Sequence, residues 1–469
     1  MFPTRAVAFS LTVVAASVAA TACSSSSSMT GTTADTTVDH VTLSATIAAL
    51  APGQQITLTA SALNRSDSTL TRTVQWLSST PAVATVTQGG VVTAVAVGST
   101  TITASVGGHS ALAAITVATT GGGTTHVFAD LAAGYDYTTC GRTTDGSSWC
   151  WGHNIAGQIG DGTTFNHSVP TLVSGGLTFA EIETGPNDSC ARTAAGVAYC
   201  WGNLVGDGTS NNKLVPTAVT GGLSFMQLTV GLGHDCGLTT AGIAYCWGDN
   251  LNGSLGNNAE YYAPTAVNGG LVFVDLSSLS DYACGRTSAG AMLCWGANLG
   301  NLGDGTQLNR SVPTAVSGGF SFAHMATSFA HTCAATAAGA TYCWGSIGSM
   351  GELGNGATTT SQLTPTLVSG GHAFTQLALG THHSCALTAS GAAFCWGDNT
   401  FGQLGDGTTT ARLTPTPVSG GLSFVKLVAG HLHTCGLTAA GTAYCWGDNV
   451  YGEIGDATVT NRTVPTAVH

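Results

Sequence analysis

The chain has 469 residues, and only 7% of them are Asp, Glu, Lys or Arg, against about a quarter in an average soluble domain. Its formal net charge is −12, from 11 basic and 23 acidic residues, so it lacks the basic stripe that nucleic-acid binding requires. With 65 Gly and abundant Thr, Val and Ala, the composition points to an all-β protein with tight turns.

The N-terminus reads as an export signal. Arg5 supplies a positive n-region, and Ala6 to Ala19 form an apolar stretch too short to remain as a membrane-spanning helix. "ATAC", Ala20 to Cys23, then resembles a bacterial lipobox. That resemblance implies a signal peptide over 1–22 and lipidation of Cys23. The other reading of the same residues is an ordinary signal peptide cut nearby. "SSSSSMTGTTADTT" follows, within a Ser/Thr-rich tether over 23–40 that could not pack a core. The expected location is the cell envelope, with membrane contact through the lipid only. Ser24, where an Asp would retain a lipoprotein at the inner membrane, points to the outer membrane or the cell surface.

Residues 41–118 form a second unit. "VTLSA", "QQITLTASAL", "TVQWLSS", "AVATVT" and "TTITASV" alternate or run apolar between turn residues, as short sandwich strands do. The stretch "VQWLSSTPAVATVTQGGVVTAVAVGSTTITA" closely resembles the bacterial immunoglobulin-like domain of group 2. The resemblance implies a β-sandwich used as a spacer or adhesion module, with Trp76 as its core aromatic. "TTGGGTT", residues 119–125, reads as a hinge.

From 126 to 469, repeats of about fifty residues dominate. Each carries an opening strand such as "FVKLVAG", two cysteines, "CWG", a loop, and a "VPTAV"-like strand. Repeats of this length must stack on neighbours, and seven of them with four strands each fit a closed β-propeller. "CWGDNTFGQLGDGT" at 395–408 has versions at 150–163, 246–257, 294–306, 343–356 and 445–458, and the second copy is shortened to "CWGNLVGDGT". On these motifs the segment resembles the regulator of chromosome condensation repeat family, which implies a seven-bladed propeller. The family includes a eukaryotic nucleotide exchange factor for a small GTPase, but no exchange-site residue matches here. Secreted bacterial members include an enzyme inhibitor that binds its target with loops on one face.

"VPTPVSGGLSFVKL" reads as strand, turn, strand, which places each "VPT" strand in the sheet of the opening strand that follows it. The chain ends with a spare "VPTAVH". Residues 464–468 are therefore expected to complete the first blade and lock the ring, removing its free edge.

Fifteen cysteines are present. Apart from Cys23 they fall in pairs ten apart: Cys140 with Cys150, Cys190 with Cys200, Cys236 with Cys246, Cys284 with Cys294, Cys333 with Cys343, Cys385 with Cys395, and Cys435 with Cys445. A Gly follows the midpoint of every pair, at 146, 196, 242, 290, 339, 391 and 441, as a three-residue hairpin loop needing one positive φ demands. Such a loop sets the two cysteines opposite each other on one face, near disulfide range. The Trp that follows the second cysteine must point to the other face. Zinc favours two to four intervening residues rather than nine, so a metal role is set aside.

Histidines stand two residues before the first cysteine in four repeats, His234, His331, His383 and His433, with Thr138, Asp188 and Tyr282 in that place elsewhere. A ring of His could hold a metal or sense pH; the plainer reading is strand-start residues bonding backbone. Asp161, Asp207, Asp304, Asp406 and Asp456 stand one to a loop, whereas calcium loops stack several carboxylates. They read as turn formers. No G-x-S-x-G, H-E-x-x-H or phosphate loop occurs. No catalytic, cofactor or metal residue is assigned, and the expectation is a monomer that is not an enzyme.

In an antiparallel meander the connections alternate between two ends. The "SGG" and Gly turns then share one face of the ring. The loops before the first cysteine and the long "GDN…GDGT" loops share the other. The second set varies between repeats and carries aromatics, so recognition is expected there. Tyr135, Tyr261, Phe329, Phe401, His431 and Tyr451 are the candidate ligand contacts. The reading is a lipid-anchored envelope protein whose disulfide-stapled propeller binds a protein or glycan ligand. The alternatives are an inhibitor or regulator of a secreted enzyme, and a glycan-acting enzyme, which would need clustered acids or a nucleophile pair.

Overall fold

The computed structural model describes residues 37–43, 47–50, 55–96, 98–117, 126–257, 261–346, 350–358 and 361–469. The signal segment, Cys23, most of the tether and the 119–125 linker lie outside the described residues. Every described element is a strand.

Residues 37–117 form a β-sandwich. One sheet runs Ile47–Leu50, His109–Val117, Gly98–Val106 and Gln75–Ser78, and shorter sheets cover it. Alternation along Gly98–Val106 buries Ile102 and Ala104 against Leu58, Val92, Ile115 and Trp76. Trp76 is 7% exposed and sits in that core.

The rest forms seven four-stranded antiparallel sheets, blades 1 to 7, over 128–172, 181–218, 225–266, 275–315, 322–367, 374–417 and 424–467. In blade 7 the order from the axis outward is Phe424–Ala429, His433–Thr438, Ala443–Gly447 and Arg462–Ala467. The inner strand of blade 1 packs on those of blades 2 and 7, which closes the ring.

Seven disulfides, one in each middle hairpin, follow the expected pairing. In blades 1 to 4 they join Cys140 to Cys150, Cys190 to Cys200, Cys236 to Cys246 and Cys284 to Cys294. In blades 5 to 7 they join Cys333 to Cys343, Cys385 to Cys395 and Cys435 to Cys445. Each pair is in direct register, as Cys236 is with Cys246, Cys284 with Cys294, Cys333 with Cys343 and Cys385 with Cys395. The hairpin Gly takes a φ between 77° and 86° in every blade, a conformation that only Gly adopts without strain. The cystine of blade 1 packs on Phe179, Ile182 and Trp201 of blade 2, and that of blade 7 on Phe128, Leu131 and Trp151 of blade 1. Disulfide and indole thus face opposite neighbours, and all seven "CWG" tryptophans are 0% exposed.

The expected closure by the last strand is corrected. Each "VPT" strand pairs with the second cysteine strand of its own repeat, as in Tyr444↔Ala467 and Cys445↔Thr466. Residues 464–468 therefore complete blade 7, and blade 1 is built wholly from 128–172. The "SGG" link resembles a hairpin turn but carries the chain from the outer strand of one blade to the inner strand of the next. Sequence alone does not separate these two uses of a Gly-Gly turn.

Blade 7 meets blade 1 through groups that recur at the other seams. Phe128 N–H donates to Gly441 O at 2.8 Å, and Trp151 Nε1–H donates to Glu453 O at 2.9 Å. Lys426 pairs with Asp130. The same inner-strand position supplies Gln376, which bonds both backbone groups of Leu427, and Gln227, which bonds those of Leu276. A polar belt around the channel thus ties blade to blade.

Candidate binding face

The two ends of the ring differ because the connections differ. At one end the Gly hairpin of each blade lies beside the start of the next inner strand, as in Phe424 N–H to Gly391 O at 2.9 Å. At the other, the residue after "CWG" donates to a carbonyl just before the first cysteine strand: Asp249 N to Gly233 O at 2.7 Å, Asp448 N to Leu432 O at 2.9 Å. This second end, the loop face, gathers the short loops and the long loops of all seven blades. The alternation does not depend on which blade owns the "VPT" strand, so the misassigned strand leaves the faces unchanged.

A buried belt supports the loop face. His331 Nε2 meets Ser384 Oγ at 2.8 Å, His383 meets Thr434 at 2.9 Å, and His433 meets Thr139 at 2.9 Å. Each pair crosses a blade seam. The hydroxyls already donate to long-loop carbonyls, Thr434 to Gln403 O and Thr139 to Glu453 O. They therefore accept from Nε2–H, and the rings are neutral. Burial pushes His234 and His331 down to about 4, and His383 and His433 to about 3. The partner is a neighbour's hydroxyl rather than the backbone. The rings lie so close to the chain that a Cβ on Gly380 would stand 2.1 Å from His383 Cε1.

The long loops lap over the next blade. Trp446 Nε1–H donates to Gln403 O at 3.0 Å and Trp201 to Gln158 O at 2.7 Å. Blade 2 is the exception. Its loop, 202–209, is four residues shorter than 152–163, and Trp247 donates instead to Asp235 Oδ2 at 3.1 Å. Asp235 replaces the missing carbonyl. It faces Asp188, which stands in the His position of blade 2, and burial with mutual repulsion raises Asp188 well above the carboxylate range. Burial does the same to Asp235. Cys190, Cys200 and Asp235 come close together, but both sulfurs are spent in a disulfide.

Above this belt lies an aromatic cluster. Tyr135 of blade 1 stacks on Phe329 of blade 5, centroids 5.4 Å apart, across the axis. Tyr135 meets His431 edge-on at 4.5 Å, and Tyr137 lies 4.8 Å from His431 and 5.2 Å from Tyr451. His153 lies 4.6 Å from Tyr451. All are partly exposed. Four of the six candidates, Tyr135, Phe329, His431 and Tyr451, are therefore brought together. Phe401 stands on the long loop of blade 6, and Tyr261 opens the outer strand of blade 3 opposite Gly248. Both positions fall toward the loop face, and Phe401 lies outside the cluster.

Tyr137 and His153 were missed. The blade 1 loop "GYDYTTC" is one residue longer than "GHLHTC", and Tyr137 absorbs the extra residue with φ 61°. That length difference was the available signal. Burial, with Asp448 and Glu453 nearby, raises the Tyr137 phenol. The loop aspartates are turn formers: Asp406 accepts from Thr408 N–H at 2.9 Å and Thr408 Oγ at 2.7 Å, and binds Arg412.

A family model for the bacterial Ig-like domain (group 2) matches residues 37–117. Two models for the regulator of chromosome condensation repeat match 128–158, 374–403 and 424–453, and 145–191, 338–387 and 390–437. The fold is similar to human WBSCR16, with a TM-score of 0.60 at 21% identity over 67% of this chain and 87% of that one. It is similar also to yeast RCC1 (Prp20), solved with Kap60 bound, with a TM-score of 0.60 at 19% identity over 68% and 83%. Among curated proteins, 57 residues are 49% identical to a probable E3 ubiquitin-protein ligase, HERC4, of Rattus norvegicus. That stretch is 12% of this chain and 5% of the ligase. The chain thus carries a bacterial Ig-like domain of group 2 and, after it, a seven-bladed propeller that contains regulator of chromosome condensation repeats.

Proposed function

We propose that the propeller is the binding module of an exported, lipid-anchored envelope protein, and that its loop face holds the ligand. The observation that carries the reading is the aromatic cluster: loops from blades 1, 5 and 7 converge on one partly exposed patch, on a ring stapled by seven disulfides. Rings held on a rigid scaffold bury area on binding without the entropic cost of ordering a loop. The seven bonds favour an oxidising compartment outside the cytosol, in agreement with a signal peptide and lipidation at Cys23. The sandwich and tether would hold the propeller off the membrane.

The test is crosslinking capture from envelope fractions with the full chain as bait. A Tyr135→Ala, Phe329→Ala, Tyr451→Ala triple variant should lose the captured protein while its thermal unfolding changes little. Substitution of Gly420 and Gly421 in an "SGG" link should leave capture intact. Loss of capture in the second variant alone would overturn the assignment of the face.

A further inference from the structure

We propose that the loop face receives a basic protein segment, with one of its Lys or Arg side chains entering a cavity formed where the second repeat is shortened. The inference rests on the loop face being the binding surface and goes on to name the chemistry of the partner.

The first observation is the distribution of charge. The propeller holds eight Lys and Arg. Seven are ion-paired within the ring: Lys426 with Asp130, Arg192 with Glu181, Arg286 with Asp275, and the outer-strand cations Lys213, Arg310, Arg412 and Arg462 with the Asp of their own loop. The eighth, Arg142, pairs with Ser148 at the hairpin-turn end of blade 1. No Lys or Arg is therefore left to balance Asp249, Asp281, Asp398 and Asp448 on the loop face. A face whose cations are all paired, but which still carries unpaired acids, attracts and orients a basic partner.

The second observation is a cavity of about 210 Å³ lined by Asn187, Asn203, Asp249, Asn252, Ser254 and Asp281, among others. It lies where the loops of blades 2, 3 and 4 meet, beside the shortened blade 2 loop. Neither the Asp249 nor the Asp281 carboxylate has a hydrogen-bond or ion-pair partner among the described residues. Both residues line this one cavity, and burial, with the Asp249 charge second, pushes Asp281 up. Amide oxygens beside paired carboxylates suit the N–H fork of a guanidinium or the three donors of an ammonium.

The third observation is Glu453. It is 0% exposed and stands where blades 1 and 6 have Gln and blade 5 has Glu352. Gln158 and Gln403 give their amides to His153 and Asp398, the residues after "CWG". Glu453 faces Asp448 in that place, and its Oε1 has no partner. Tyr451 N–H donates to Glu453 Oε2 at 2.9 Å, and burial raises Glu453 to about 8, so a cation arriving over the Tyr451 and Tyr137 rings would be held by their π faces and would favour the ionised acid.

The experiment uses the full chain and a short capped peptide of alternating Gly and Arg, with the Gly–citrulline and Gly–Glu peptides beside it. Calorimetric titration should show saturable binding of the Arg peptide and none of the other two. In D249N/D281N the affinity should fall at least about tenfold. The charge-matched control D39N/D67N, which alters exposed acids of the sandwich, should leave it within about twofold. Equal weakening in the control would overturn the proposal by reducing it to the overall negative field. Equal binding of the citrulline peptide would also overturn it. So would saturable calcium binding that D249N/D281N abolishes without any Arg-peptide binding. Because the probe is a peptide, failure here leaves capture through the aromatic cluster to stand or fall by its own test.

Discussion

His383 and Asp188 occupy the same place in their repeats and have opposite consequences for stability. His383 is held neutral, at about 3 against an ordinary 6.5. The folded state then binds fewer protons than the unfolded one, so the stability from this group is full above pH 6.5 and is lost as pH falls toward 3. The slope is at most about 1.4 kcal/mol per pH unit. Asp188 is raised, so its contribution is full below the ordinary carboxylate range and is lost as pH rises. His383→Gln should gain on the parent protein in melting temperature as pH drops from 6.5 to 4.5. Asp188→Asn should gain as pH climbs from 4.5 to 8. Parallel melting curves for parent and variant across either range would disprove the corresponding assignment. The spacing of His residues before the cysteines was legible in the sequence. Their partners were not, because a bond from His383 to Thr434 joins residues 51 apart, and no local pattern specifies it.

At the scale of the element, the cysteine hairpin was the most legible part. The ten-residue spacing, the Gly after the midpoint and the Trp after the second cysteine together determined register, turn and the two packing faces. A bridge closing so short a loop contributes roughly 2–3 kcal/mol in the chain-entropy model. Alkylation of the purified protein without reductant, followed by peptide mapping, should label none of the 14 repeat cysteines. The "VPT" strand was misread because its own sequence suits an outer strand equally well in either neighbouring sheet; only the ladder with the second cysteine strand decides. The short blade 2 loop was visible as four missing residues, but not its compensation by Asp235. Asp235→Thr, which installs the residue blade 7 uses, should cost about 1–3 kcal/mol in urea unfolding because Trp247 is left without an acceptor. Thr434→Ser in blade 7 should cost under about 0.5 kcal/mol, since the hydroxyl bond to Gln403 O is kept.

At the scale of the whole molecule, the ring is closed by lapping rather than by a shared sheet. The seam between blades 7 and 1 is made from the same kinds of group as the seam between blades 6 and 7: an indole on a long-loop carbonyl, a His on a hydroxyl, a polar inner-strand contact. Removal of 462–469 should therefore destabilise blade 7 and expose Cys445 but leave blade 1 shut. Hydrogen exchange of Phe128–Ala133 should stay as slow as in the intact chain. Fast exchange there in the truncated protein would mean that the last strand is the lock after all.

A ring whose every sheet is encoded by one uninterrupted stretch has a genetic consequence. Unequal recombination between two repeats would add or remove a complete blade, with its cystine, its indole and its lapping loop. Neither event would cut a sheet in two or strand an orphan edge. The newcomer would meet ready-made complementary surfaces on both sides, and the ring would need only a change in the angle between neighbours. Where one sheet is shared by both termini, the same crossover has to preserve the pairing of the two ends. Lineages carrying this architecture can therefore vary blade number, and with it the diameter of the loop face, by single duplications.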